Sequence, residues 1–172
     1  MRAPARIERL GPADAPAYRE LMLRAYAESP EAFTATVEER AALPMDWWLQ
    51  RLDDRPHADE FSLGAWQGER LVGAVTLERQ TRPKHRHKAL LLGMYVAPEA
   101  RRAGLGRQLV DALMHRARAS DGLKLVTLTL TEGNAPAEAL YSAFGFARFG
   151  VEPLAIHQEG RYLSKVHMAL VL

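Results

Sequence analysis

Leu90 to Ala119 constrains this chain more than any other stretch, because it reads as a strand, a tight turn and an amphipathic helix in direct succession. Leu90, Leu91, Leu92, Met94, Tyr95 and Val96 make a nearly continuous apolar run, the pattern of a central strand covered on both faces. Ala97-Pro98 ends it, since proline brings no N–H to a sheet ladder and steers the preceding residue away from helical angles. Leu105, Leu109, Leu113 and Ala117 then recur every fourth residue. Arg107, Gln108, Asp111, His115 and Arg118 fall opposite, which predicts a helix laid on the sheet.

The turn between them is Arg101-Arg102-Ala103-Gly104-Leu105-Gly106. A helix start carries unpaired N–H groups and the positive end of the helix dipole, so a strand running into one makes an anion site before any side chain contributes. Gly104 and Gly106 remove Cβ atoms that would hold a bulky phosphate away, and the arginines add charge. Two other phosphate loops do not fit. A dinucleotide fingerprint needs a third glycine where Leu109 stands, and no Gly-Lys followed by Ser or Thr occurs.

The segment VAPEARRAGLGRQLV resembles the acyl-CoA-binding signature of the GNAT superfamily of N-acetyltransferases: Arg or Gln, two residues, Gly, one residue, then Gly or Ala. Arg101, Gly104 and Gly106 fill those places. The resemblance implies that the loop Arg101, Arg102, Ala103, Gly104, Leu105, Gly106 and Arg107 binds the pyrophosphate of coenzyme A. It implies too that the strand end at Met94, Tyr95 and Val96 offers backbone groups to the pantetheine arm. The implied fold class is α/β, a GNAT-like mixed, mostly antiparallel central sheet flanked by helices, with a parallel strand-helix-strand unit forming the acetyl-CoA site.

With 172 residues the chain has the length of one domain, taken here as residues 1–172. A globule of this size buries roughly 70% of its extended-chain surface and needs no metal or disulfide to hold together. The absence of cysteine excludes disulfides, zinc thiolate sites and a cysteine-bound acyl intermediate. No window approaches the ~18 apolar residues of a membrane span, so the expected location is cytoplasmic, without a membrane partner. Twenty-three basic against twenty-one acidic residues, a net charge of +2, is too even for a non-specific nucleic-acid binder.

Along the chain, Arg6 to Leu10 is expected as an edge strand closed by Gly11-Pro12, and Asp14 as the cap of a helix carrying Leu21, Leu23, Ala25 and Tyr26. Shorter helices are expected near Thr36 to Glu38 and from Pro44 to Leu52. Glu60 to Trp66 and Arg70 to Arg79 read as a hairpin across Gln67-Gly68-Glu69. The loop Gln80 to Lys88 is strongly basic but has no aromatic residue to stack bases. It is read as a solvated connection or as a contact for the nucleotide end of a cofactor. Leu123 to Thr131 alternates as a strand, Val126, Leu128 and Leu130 on one face and Thr127, Thr129 and Thr131 on the other. Paired parallel to the central strand, it completes a right-handed crossover. Arg148 to Leu172 supplies two last strands around Gln158-Glu159-Gly160.

A second signature is NAPAEALYSAFGF, Asn134 to Phe146. Asn134 can cap a helix that Gly145 ends, with Leu140 and Phe144 as its expected buried face and Tyr141 two turns from Asn134 on another side. This also resembles the GNAT superfamily. There the Asn bonds the pantetheine arm or a nearby backbone group, the Tyr lies close to the thiol sulfur, and acetyl transfer is direct. The resemblance makes acetyl-CoA the donor and Tyr141 the catalytic acid, and a plain N-cap remains open for Asn134.

An attacking amine must shed a proton, since a lysine-like amine has a pKa near ~10.4. Glu78 is the first candidate base, with Glu132, His87 and a water chain as alternatives. Glu28, Glu31, Glu38 and Glu39 are candidates to attract a cationic acceptor, and Trp47 and Trp48 to wall its pocket. The expected activity is acetyl-CoA-dependent N-acetylation of a primary amine on a small molecule or peptide. A non-catalytic acyl-CoA-binding sensor is the alternative. Expected partners are that amine acceptor and a second copy of the chain as homodimer, with no nucleic acid, membrane or metal.

Overall fold

The computed structural model describes residues 5–172. Alternating and continuous apolar runs become strands β1 (Arg6–Arg9), β2 (Glu60–Gln67), β3 (Arg70–Arg79), β4 (Lys88–Val96), β5 (Leu125–Thr131), β6 (Ala147–Gln158) and β7 (Arg161–Val171). They form one seven-stranded sheet in the order β1-β2-β3-β4-β5-β7-β6. Every neighbouring pair is antiparallel except β4 and β5, which are parallel. The mixed, mostly antiparallel α/β sheet expected from the sequence is therefore observed.

The helices are α1 (Ala15–Glu28), α2 (Val37–Ala41), α3 (Met45–Leu49), α4 (Leu105–Ala119) and α5 (Ala135–Ala143). The apolar stripe of α4 is buried through Leu105, Leu109, Val110, Leu113, Met114 and Ala117, and Leu109 lies against Gly73 of β3. Tyr18 of α1 meets Thr76 of the same strand. Gly73 and Thr76 are an odd number of residues apart, so α4 and α1 cover opposite faces of the sheet. Of the apolar residues expected on α1, Leu21, Ala25 and Tyr26 are buried together with Tyr18 and Met22, while Leu23 is half-buried. Asp14 precedes α1 but makes no side-chain cap for it; its carboxylate accepts from Gly11 N at 2.8 Å.

Two irregularities open the sheet at its middle. β4 and β5 pair only at Lys88 with Leu125, Ala89 with Val126 and Leu90 with Thr127. Past Leu90 they part, and β5 continues beside β7 instead. In addition β4 carries a bulge. Thr76 pairs with Leu92 and Ala74 with Tyr95, so Gly93 and Met94 together oppose Val75. Gly93 has φ +62, a conformation that glycine adopts without strain.

Candidate active site

Helix α4 begins at Leu105 with no side-chain cap. Arg101 N donates to Pro98 O and Gln108 N to Gly104 O, but the amides of residues 102 to 107 have no acceptor among the described residues. Gly104 caps the helix at φ +72, and a Cβ there would have Gln108 Nε2, 3.9 Å away, as its nearest neighbour. The expected anion cradle is thus open on its outer side. Gly106 has a different reason to be glycine: a Cβ would stand 3.2 Å from Met94 Cε and 3.7 Å from Leu140 Cδ2, so its missing side chain lets α4 approach β4 and α5. Arg101 folds back, its Nε donating to Val96 O at 2.9 Å and its guanidinium lying over the Tyr95 ring. Arg107 lies over Phe144, while Arg102 and Ala103 are exposed.

The parting of β4 and β5 leaves a cavity of about 270 Å³. Its floor is β4 from Leu90 through Gly93 to Met94, and its far wall is β5 from Thr129 to Thr131. Asn134, Ala137, Leu140 and Tyr141 close one end. Of the strand residues expected at the pantetheine arm, Met94 lines the cavity, whereas Tyr95 turns its ring toward α1 and Val96 leads into the loop. Asn134 Oδ1 accepts from Ala137 N at 3.3 Å, so the residue caps α5 and still faces the cavity.

Tyr141, not the expected pair Leu140 and Phe144, is the buried residue of α5; those two are half-buried. The reason is Phe146, which folds under the helix after its end and meets the Tyr141 ring edge-on at 5.9 Å. The Tyr141 hydroxyl has no hydrogen-bond partner among the described residues, and burial raises its pKa.

A charged network fixes the root of the loop to α1. Arg24 grips Glu99 through both carboxylate oxygens at 2.7 and 2.8 Å, and Arg70 adds a contact at 2.8 Å. The Arg24 bond holds the Glu99 carboxyl down to about 2. Arg24 also meets Glu28, which accepts from the Tyr95 hydroxyl at 2.5 Å. Burial, with that bond second, pushes Tyr95 up to about 12, while the bond from Tyr95 lowers Glu28.

The acceptor side departs from expectation. Glu28, Glu31, Glu38 and Glu39 do not line the cavity. Glu28 belongs to the network just described, and Glu39 closes a capping box with Thr36 at the start of α2. Glu78 stands outside the wall too, half-exposed on β3 opposite Glu60 and Leu90. Glu132 and His87 are exposed and equally outside it. The charged side chains that line the cavity are instead Arg40, Arg51 and Lys165. Arg51 pairs with Glu60 at 2.9 Å; burial raises the Glu60 carboxyl, against the pull of Arg51 and with a push from Glu78. Trp48 is buried and lines the cavity, while Trp47 is sandwiched between the guanidinium groups of Arg40 at 4.4 Å and Arg51 at 4.6 Å.

Residues 32 to 35 roof the cavity and are tied across it, Thr131 Oγ1 donating to Glu31 O at 2.5 Å and Lys165 Nζ to Thr34 Oγ1 at 2.6 Å. The basic loop does not approach the cradle. It precedes the start of β4, while the cradle follows its end, and a strand of nine residues spans about 30 Å. No spacing in the sequence marks the three cations, whereas Gly93, a lone glycine inside an apolar strand run, is a bulge signal. Among the described residues no helix is long and apolar enough to cross a membrane. Nor does any group of three or more His, Cys, Asp or Glu there form a metal site.

A model described as the acetyltransferase (GNAT) family matches residues 19–146. An L-methionine sulfoximine/L-methionine sulfone acetyltransferase of Pseudomonas paraeruginosa is 38% identical over 79 residues, 46% of this chain and 45% of that protein, so the match spans less than half of that relative. An L-amino acid N-acetyltransferase of Escherichia coli is 27% identical over 150 residues, 87% of this chain and 90% of that protein. Among solved structures, a Salmonella typhimurium protein with its cofactor acetyl-CoA superposes with a TM-score of 0.81 at 21% identity, covering 99% of this chain and 95% of that one.

Proposed function

The chain belongs to the GNAT acetyltransferase family, and from that premise we propose that it moves an acetyl group from acetyl-CoA directly to a primary amine of a small molecule. The observation that carries this reading is the row of unpartnered amides at residues 102 to 107, placed beside a cavity into which Tyr141 faces. The amides and the start of α4 suit a pyrophosphate, and the freed edge of β4 beyond Leu90 suits an extended amide-bearing arm. The names of the Pseudomonas and Escherichia coli relatives favour a small acceptor over a peptide.

Acetyl-CoA supplies an activated acyl carbon when bound. The amine nitrogen bonds to that carbon, the carbon–sulfur bond breaks, and the sulfur takes a proton. In this reading Tyr141, which lines the cavity, gives that proton and recovers one from water. Burial keeps its hydroxyl protonated, and a thiolate leaving in the same buried surroundings is likewise disfavoured as an anion and drawn to a proton. Among the described residues no Asp, Glu or His lines the cavity, which supports loss of the amine proton to water within it. The chain contains no cysteine to carry the acetyl group, and direct transfer needs none.

The test is a thiol-release assay with acetyl-CoA over amino acids, simple alkylamines, polyamines and peptides, paired with calorimetry of acetyl-CoA binding. Release with at least one small amine is expected. Binding without release over the whole panel would make the chain a sensor, and absence of binding would remove the reading altogether.

A further inference from the structure

We infer that the acceptor carries a carboxylate beside its amine, as an α-amino acid does, and that Arg40 with Lys165 holds it. The inference rests on the acetyl-transfer reading above and concerns the charged side chains that line the cavity. That lining carries more positive charge than its carboxylate neighbours cancel. Arg40, Arg51 and Lys165 line the cavity and, among the described residues, no Asp or Glu does. Only Arg51 has a carboxylate partner, Glu60.

The Arg40 side chain makes no ion pair or hydrogen bond among the described residues, and its Nε is buried without an acceptor. Its guanidinium is held in place by stacking over Trp47 at 4.4 Å and Tyr26 at 5.8 Å, so a planar fork of donors is oriented before any ligand arrives. Trp48, another lining residue, likewise has an indole N–H without a partner. Lys165 is fixed by Thr34, whose hydroxyl leaves its charge uncancelled.

A wall that offers donors and positive charge, and no acceptor of opposite charge, is completed by a ligand that brings an anion. It repels an amine whose only other charges are positive, which disfavours polyamines. The remaining lining near Arg40, with Tyr18, Met22, Phe33 and Trp48, is apolar or aromatic and suits a neutral side chain.

Matched pairs test this: L-leucine against 3-methylbutylamine, and L-methionine against 3-(methylthio)propylamine, each differing only in the carboxylate. With acetyl-CoA and wild-type protein, kcat/KM should favour the amino acid by about 100-fold or more, the scale of losing one partner of a hydrogen-bonded charge pair. In Arg40→Gln that preference should shrink by about 10-fold or more, through a raised KM for the amino acid. Lys165→Met should shrink it in the same direction, which keeps the test decisive if Arg40→Gln does not fold. Equal or inverted rates for the pairs in the wild type, or a preference unchanged in both variants, would overturn the carboxylate assignment while leaving acetyl transfer intact. Failure of acetyl-CoA to bind would overturn both.

Discussion

Leu90 of β4 and Thr127 of β5 are the last residues at which these parallel strands pair, and the cavity begins where they part. The bulge at Gly93 and Met94 follows within the same strand, so the sheet is opened and its floor bent in one place. Ligands of open α/β sheets commonly bind beyond the carboxyl ends of strands; here two strands that stop pairing create the opening.

Gly93→Ala should reveal how much the bulge matters. A Cβ there would meet nothing closer than Thr76 Oγ1 at 3.6 Å, so space is adequate, but φ +62 is unfavourable for alanine. The left-handed angle costs about 1–2 kcal/mol. A fall in Tm of about 2–8 °C in a thermal melt is expected, together with a raised KM for acetyl-CoA. An unchanged melt would mean that the strand relaxes without the bulge.

Gly104→Val places a branched side chain at φ +72 beside the free amides. Calorimetry should show acetyl-CoA binding weakened by about 10-fold or more, a loss of about 1.4 kcal/mol or more. Normal affinity would place the diphosphate elsewhere.

Tyr141→Phe keeps the ring against Phe146 and removes only the hydroxyl. A decrease in kcat of about 100-fold, the lower range for general acids, is expected while acetyl-CoA affinity holds. Because burial raises the Tyr141 pKa above its ordinary 10.0, the protonated, working form persists past that pH. The wild-type kcat should therefore show no fall attributable to this group as pH passes 10, and a loss centred there would contradict the assignment.

Glu99→Gln probes the network at the root of the loop. The Glu99 carboxyl is held at about 2 against an ordinary 4.5, so its contribution to stability is present above 4.5 and is lost as pH falls toward 2. Its side chain is 34% exposed, which limits the effect to that of screened pairs, about 0.5–1 kcal/mol. The variant should be less stable by that amount at pH 7 in urea unfolding and should lose less stability than the wild type between pH 4.5 and 2. Parallel pH curves for the two proteins would exclude the network as a source of acid sensitivity.

The uncapped start of α4 and the sheet are legible in the sequence because local chemistry dictates them. Gly104 before a four-residue repeat of leucines specifies an uncapped helix start, and Val126, Leu128 and Leu130 specify a strand with one buried face, whatever surrounds them. Tyr141 was found through its resemblance to known enzymes, but its burial was not, because Phe146 reaches it only after the chain turns at Gly145. The acceptor wall was illegible for a stronger reason. Arg40 on α2, Arg51 beyond α3 and Lys165 on β7 are distant in sequence, and no spacing rule joins them. The acidic residues that looked suited to an amine are taken up locally, Glu39 by its helix cap and Glu28 by Arg24 and Tyr95.

Residue-resolved amide exchange, measured by nuclear magnetic resonance with and without acetyl-CoA, tests the central claim most directly. The amides of residues 102 to 107 lack acceptors among the described residues and should exchange rapidly alone, then slow by about 10-fold or more when acetyl-CoA binds. Binding that leaves those amides exchanging as before, or amides already protected without it, would contradict the account.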